Sequence, residues 1–443
     1  MTRSLSVDFS MNNHSDVNQE SGRTSRRSLK LLLILFGLLI GFVIAEAGLR
    51  LIGYTYPVFY TTDHARGYAL RPNMAGWYRK ENDVYVRINS DGLRDREHSR
   101  TKPANTLRIA LLGDSYAEAL QVPLEDAFWE VMRRQLESCD ALTGGRKVEV
   151  VNFGVSGYGT AQELITLREQ VWDYSPDIVL LAVTTNNDIS DNLRVLKKTD
   201  EIPYFVYADG KLTLDDSFLQ TRSFRLRESL VSRLGAWIRD SSRVIQAFHQ
   251  AHHALKNYLA SRRAPNETPR PAPSPSQAQD QSQAQSQPQP ENASNDAAAG
   301  EELGTDNLIY REPKDAVWND AWRVTEALMR QMRDEVRNHG ARFVVVTLSN
   351  GIQVFPEPHG RNAFMQRLGV TDLFYPDQRI RALGERESIN VITLAPALQT
   401  YAEQHKVFLH GFGKELGNGH WNTLGHKVAG EMLADKLCEA MAN

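Results

Sequence analysis

The sequence predicts an α/β fold: one doubly wound domain on a parallel sheet of five strands, with helices covering both faces. Three observations carry this. From about Thr106 onward, short apolar runs of strand length alternate with longer amphipathic segments of helical period. The apolar runs are almost continuous, as in strands buried on both faces. Once one insertion is set aside, roughly 215 residues remain after Thr106, an ordinary size for a single domain.

The elements follow in order. Leu107–Leu112 (LRIALL) reads as the first strand and Glu125–Ser138 as the first helix, with Phe128, Val131, Met132 and Leu136 on one face. Val148–Val151 is the second strand, Ala161–Trp172 a helix, and Asp177–Val183 (DIVLLAV) the third strand. The alternation resumes at Lys314–His339, a long helix with an apolar stripe from Trp318 to Val336 and Gly340 as its C-cap. Arg342–Leu348 and Asn390–Leu394 are strands four and five, and Leu424–Met441 is the last helix. Between strands three and four lies an insertion of about residues 193–313. It begins with a hairpin, Tyr204–Asp215, turning at Asp209-Gly210. An arginine-rich helical stretch follows. Residues 261–307 are Pro, Gln, Ser and Ala with few apolar side chains, so they are expected to be disordered.

The N-terminus sets the compartment. Residues 1–30 are polar and expected to be a disordered cytoplasmic tail. Residues 31–52 are long and apolar enough to cross a bilayer if Glu46 and Arg50 reach the interface. Arg23, Arg26, Arg27 and Lys30 precede them and hold that end in the cytoplasm. The expectation is a single-pass signal anchor in the inner membrane with a periplasmic domain. Ala45-Glu46-Ala47 also fits a cleavage site, and a cleaved signal peptide would export the same domain. Residues 54–105 are expected to be an extended membrane-proximal region, and 106–443 the main domain.

Composition narrows the function. With 51 basic and 54 acidic residues, the chain lacks the basic excess of a nucleic-acid binder. Its two cysteines, Cys139 and Cys438, form no C-x-x-C pair; they are buried thiols or one disulfide in an oxidising compartment. His249 and His253 stand four apart on a helix, but no third metal ligand is evident and a solvated face accounts for them.

Four polar segments fall at strand ends, where open α/β sheets bind ligands. Gly113-Asp114-Ser115 follows the first strand and exposes a serine where a helix begins. Asn152-Phe153-Gly154 follows the second, and Thr184 to Asp188 the third. Gly417 to His426, with His420 at its centre, precedes the last helix. A serine hydroxyl becomes a competent nucleophile only when a base takes its proton, and His420 can meet Ser115 at this edge. Ser156 is a rival, but a G-x-S-x-G elbow needs glycine where Tyr158 stands.

Together, the GDS, NFG, NND and HWNxxGH segments resemble the conserved blocks of the SGNH (GDSL-like) hydrolases, in particular bacterial membrane-anchored envelope members. The resemblance runs from Leu107 to the C-terminus, insertion excepted. It implies a three-layer, flavodoxin-like sandwich. It implies Ser115 as nucleophile, His420 as base, and the Gly154 N–H and Asn187 amide as oxyanion donors, with no metal or organic cofactor. Two positions depart from the family pattern. Thr185 and Asn186 precede Asn187 where glycine is usual. Gly417 and Asn418 stand where the family's aspartate precedes the histidine, so Asn418 or a backbone carbonyl is expected to orient the ring. In such a sheet the first and last helices share a face, which pairs Cys139 with Cys438.

The resemblance implies an esterase acting on O-acyl, especially O-acetyl, esters of an envelope or exported glycan or lipid. Two alternatives stay open. One is an O-acetyltransferase of envelope polysaccharide, with a membrane acyltransferase as partner. The other is a catalytically impaired glycan-binding or assembly module.

Overall fold

The computed structural model describes residues 17–263 and 305–442. The segment expected to be disordered falls almost wholly outside these residues. Helix α1 spans Val17–Leu51, entering the polar segment that composition reads as unstructured. Its Leu29–Leu51 stretch is long and apolar enough to cross a membrane; its most apolar part is uncovered, while Glu46 and Arg50 near its end meet residues 241–244.

Residues 54–105 fold into more than an extended connection. They form two antiparallel hairpins, β1 (Tyr60–Asp63) with β2 (Gly67–Leu70), and β3 (Ala75–Tyr78) with β4 (Val84–Arg87). The strands of the second hairpin alternate: Tyr78, Val84 and Val86 point into a small core with Phe59, Leu120 and Tyr158, while Tyr85 and Arg87 face out. The chain then crosses the domain with Arg94 and Asp95 buried, and Asp95 accepts the Asn152 N–H at 2.8 Å.

The main domain follows in chain order. Strand β5 (Thr106–Gly113) leads into a one-turn helix α2 (Ser115–Glu118) and helix α3 (Phe128–Leu136). Next come β6 (Lys147–Asn152), α4 (Thr160–Glu169) and β7 (Ile178–Thr184). The insertion holds a hairpin, β8 (Tyr204–Ala208) and β9 (Lys211–Asp215), then α5 (Leu230–Ser241) and α6 (Arg243–Arg263). The domain resumes with α7 (Ala316–Asn338), β10 (Arg342–Leu348), α8 (Tyr375–Glu387), β11 (Asn390–Thr393), α9 (Ala395–His405) and α10 (Thr423–Ala442).

The sheet is five-stranded and parallel in the order β11-β10-β7-β5-β6. Because successive strand residues face opposite ways, β5 sends Ala110 and Leu112 into one core and Ile109 and Leu111 into the other. Leu164, Trp322 and Leu328 meet the first pair from α4 and α7; Phe128, Met132, Val428 and Leu433 meet the second from α3 and α10. Full burial of each such side chain contributes about 1.5–3 kcal/mol. Cys139, just past α3, is bonded to Cys438 of α10, with Cα atoms 6.0 Å apart. The chain leaves β5 toward β6 on one side and returns to β7 on the other. That reversal opens a crevice at the carboxyl end of β5.

Candidate active site

Ser115 sits at that crevice, half-buried, as the first residue of α2. Asp114 caps the turn. Its carboxylate accepts the Tyr116 N–H at 3.0 Å, the Thr184 hydroxyl at 2.9 Å and the Asn187 amide at 3.1 Å. The end of β5 is thereby tied to the end of β7. Burial raises the Asp114 pKa, and these donors work against that rise. Gly154 lets β6's loop close onto α2: a Cβ there would stand 2.5 Å from Ala117 Cβ and 2.8 Å from the Glu118 nitrogen.

His420 lies on a loop anchored at both flanks. Trp421 is fully buried and donates its indole N–H to Ser349 at 2.8 Å. His410 holds the Gly419 carbonyl with Nδ1 at 2.8 Å, and burial pushes His410 down to about 4, so it is neutral. His426 accepts the Phe128 N–H at 3.2 Å, which gives this histidine a structural task at the start of α3.

The loop delivers His420 Nε2 to 2.8 Å from Ser115 Oγ. On the other side of the ring, Nδ1 lies 2.7 Å from Glu81 Oε1, while Glu81 Oε2 accepts the His420 backbone N–H at 3.2 Å. Glu81 comes from the β3–β4 turn, 339 residues before His420. Gly419 makes room for it: its φ is +72°, and a Cβ there would approach Glu81 Oε2 to 3.0 Å.

Burial opposes ionisation of Glu81, but the His420 charge, the hydrogen bonds from His420 and one from Gln121 hold it at about 2. Burial likewise disfavours the imidazolium. The Glu81 carboxylate and its hydrogen bond, with Asp114 and Glu118 behind, outweigh it and raise the His420 pKa above its ordinary 6.5. An ionised Glu81 keeps the proton on Nδ1 and leaves the Nε2 lone pair for the Ser115 hydroxyl.

The expectation about the orienting group is therefore corrected. Nδ1 is occupied by Glu81, and Asn418 makes no hydrogen bond to His420; its backbone N–H goes to the Glu415 carbonyl at 3.1 Å. Nothing local in the sequence marks Glu81. It is one polar residue in the turn Arg79-Lys80-Glu81-Asn82-Asp83.

The two expected oxyanion donors, and the Ser115 N–H beside them, lie at this edge in different states. No acceptor among the described residues takes the Ser115 N–H. Asn187 spends one amide hydrogen on Asp114 and keeps a second. The Gly154 N–H donates to Asn152 Oδ1 at 2.9 Å, so it would serve an anion only by sharing or breaking that bond. Ser156, the rival nucleophile, is held through its hydroxyl and its N–H (2.6 Å) by the buried Glu118 carboxylate, which also accepts from Tyr60 at 2.9 Å. Among the described residues its hydroxyl is hydrogen-bonded to that carboxylate and to no histidine. The described residues contain no group of three or more His, Cys, Asp or Glu side chains placed to hold a metal ion. His249 belongs to α6, and the His253 side chain lies outside the described residues.

No family model and no curated protein matches the chain. Among solved structures it is similar to an acetyl xylan esterase, at 12% identity and a TM-score of 0.33, over 75% of this chain and 98% of that one. It is also similar to a G-D-S-L family lipolytic protein from Desulfitobacterium hafniense DCB-2, at 10% identity and TM-score 0.32, over 74% and 98%. A third is a catalytic mutant of an acetylxylan esterase from Geobacillus stearothermophilus, at 9% identity and TM-score 0.32, over 75% and 93%. Likeness at this level establishes neither activity nor substrate for this chain.

Proposed function

We propose that the chain is a serine esterase that works through an acyl-enzyme at Ser115. The observation that carries this is the unbroken line Glu81–His420–Ser115, at 2.7 and 2.8 Å, open to solvent at the serine end. A nucleophile, a base and a group that orients the base are the minimum set for acyl transfer.

In this mechanism Ser115 Oγ attacks the ester carbonyl carbon as its proton passes to His420 Nε2. Glu81 stabilises the imidazolium. The Ser115 N–H and the second Asn187 amide hydrogen stabilise the oxyanion, and each such donor is typically worth about 3 kcal/mol. His420 returns the proton to the departing alkoxide, and the alcohol leaves. Water then attacks the acyl carbon as its proton passes to His420; the bond from that carbon to Ser115 Oγ breaks, His420 returns the proton to Oγ, and the acid leaves with Ser115 restored.

The substrate we propose is an O-acyl, in particular O-acetyl, ester of an envelope glycan or lipid met at the membrane. The position of Thr55 supports this. It lies just beyond the spanning-length helix, accepts the Trp77 N–H at 3.0 Å through its hydroxyl and Arg79 Nη1 at 3.3 Å through its carbonyl. Arg79 is two residues from Glu81, so about 7 Å of extended chain separates them. The site therefore sits close to where the chain leaves α1. Arg23, Arg26, Arg27 and Lys30, in α1 ahead of its apolar stretch, favour an inner-membrane anchor with the domain outside.

The test is acetate release from 4-nitrophenyl acetate by the full-length chain in detergent, beside Ser115→Ala and His420→Ala. Turnover is expected in the parent and in neither variant. Equal rates in three folded proteins would overturn the proposal. Addition of an acetylated donor and a glycan acceptor then separates hydrolysis from transfer to a sugar hydroxyl.

A further inference from the structure

Helix α5 is amphipathic with its polarity inverted relative to a soluble surface helix. Leu230, Val231, Leu234, Trp237 and Ile238 fall within one arc of about 120°, and all five are exposed, at 42 to 80%. Off that arc, Asp240 faces the protein and pairs with Arg71 at 2.7 Å. A surface helix of a soluble domain does the reverse.

The end of this helix is fastened to α1. Arg50 Nη2 donates to the Ser241 carbonyl at 2.7 Å. The Glu46 carboxylate accepts the Ser242 hydroxyl at 2.9 Å and the Arg243 and Val244 N–H groups at 3.0 Å, capping α6. Glu46 and Arg50 lie in the last turns of α1, directly after the apolar run that ends at Ala45. The α5–α6 corner is thus held at the level where a spanning α1 would leave the hydrocarbon. Leu51 and Ile52, 88% and 76% exposed, continue the apolar surface at that level.

We propose that α5 lies in the outer interface of the bilayer that α1 crosses, with the Leu230–Ile238 arc among the acyl chains. The occupant of this face is the membrane. Helices with one strongly apolar face lie in this zone, and exposed arginines such as Arg222, Arg225 and Arg233 suit its anionic headgroups. The proposal rests on α1 being retained. Glu46 favours retention, because cleavage within Ala45-Glu46-Ala47 would strip α6 of its N-terminal acceptor. Membrane-bound α5, through the Asp240–Arg71 pair, would keep the hairpins carrying Glu81 facing the surface where acyl lipids and lipid-linked glycans are found.

Cys139 and Cys438 are the chain's two cysteines and are bonded to each other, so an introduced cysteine is a unique label. Leu234→Cys, Trp237→Cys and, on the far hairpin, Lys211→Cys would each carry a nitrobenzoxadiazole fluorophore. The full-length protein would sit in nanodiscs of phosphatidylethanolamine and phosphatidylglycerol doped with a shallow nitroxide lipid. Labels at 234 and 237 are expected to lose about half their emission or more, and the label at 211 almost none, as for an interfacial helix. Iodide quenching at 234 and 237 equal to that at 211 would overturn the proposal, because the face would then be solvated. Shielding from both quenchers would overturn it too, because a protein surface would then cover the arc. The intact mass of the chain is read separately: a chain beginning beyond Ala47 overturns the anchor itself.

Discussion

Glu81→Gln tests the site at the position that sequence alone does not reveal. The change keeps the side chain's size and replaces one carboxylate oxygen with an NH2. In the parent, both oxygens are used: Oε1 by the ring at 2.7 Å and Oε2 by the His420 N–H at 3.2 Å. The amide can serve only one of these, and the other meets a donor. The charge is lost as well. Glu81 is held at about 2 against an ordinary 4.5, with His420 the leading favourable partner. At 1.36 kcal/mol for each tenfold, that interval is on the order of 3 kcal/mol. Loss of this stabilisation as the imidazolium forms slows kcat by about 10²-fold. Misplacement of the ring proton adds to it, toward the roughly 10⁴-fold cost of the equivalent acid-to-amide change in the serine-protease triad.

The pH profile gives an independent sign. Activity needs neutral His420, whose pKa in the parent is raised, so kcat/KM should climb through a value above 6.5. In Glu81→Gln, burial still disfavours the imidazolium while its main attraction is gone. The rising limb should therefore move to lower pH. Stopped assays from pH 5 to 9 with a neutral acetyl ester would read both effects. A variant with the parent's kcat and the parent's rising limb would refute the assignment of Glu81.

Other consequences are open to direct test. Gly419→Val puts a β-branched residue at φ +72° and a carbon against Glu81, so activity should fall about 10-fold or more with the melting temperature little changed. Cys139→Ser should lower stability by about 2–5 kcal/mol in denaturant melts, because the bond closes a long loop. Esterase activity at 25 °C should persist in that variant, since the bond joins the far ends of α3 and α10. His98 lies between Asp95 at 3.1 Å and Glu149 at 2.7 Å; burial opposes its charge, but the two carboxylates raise it to about 9. Its contribution should be complete below about 6.5 and lost as pH rises through about 9, so parent and His98→Gln should converge in stability above that pH.

The sheet was legible because its three central strands, β5, β7 and β10, read as nearly unbroken apolar runs, as burial on both faces requires. Each predicted strand lies within a residue or so of its observed bounds, and β10 coincides at Arg342–Leu348. Helix starts were less legible. Glu125–Ser138 divides into a 3₁₀ turn and α3 because Ala127 is extended, with ψ at 138°, and its small apolar side chain fits either periodicity. Ser115 and His420 could be picked out because sheet topology brings loops from strand ends together whatever their separation in the chain. Glu81 lies outside that logic. Its hairpin reaches the site through side-chain packing of Tyr78, Val84 and Val86 and the close approach of Gly76 to Pro57, and such docking leaves no periodic trace. Hence the region before the domain read as a spacer, and the missing acid was sought beside His420, at Asn418.

The central claim is that Ser115 is the nucleophile activated by His420. Its most direct test is peptide mapping after exposure of the full-length chain to a fluorophosphonate. The account predicts one adduct, on the peptide carrying Ser115, absent from Ser115→Ala and strongly slowed in His420→Ala. An adduct on Ser156 instead, or labelling of Ser115 at the same rate without His420, would contradict it.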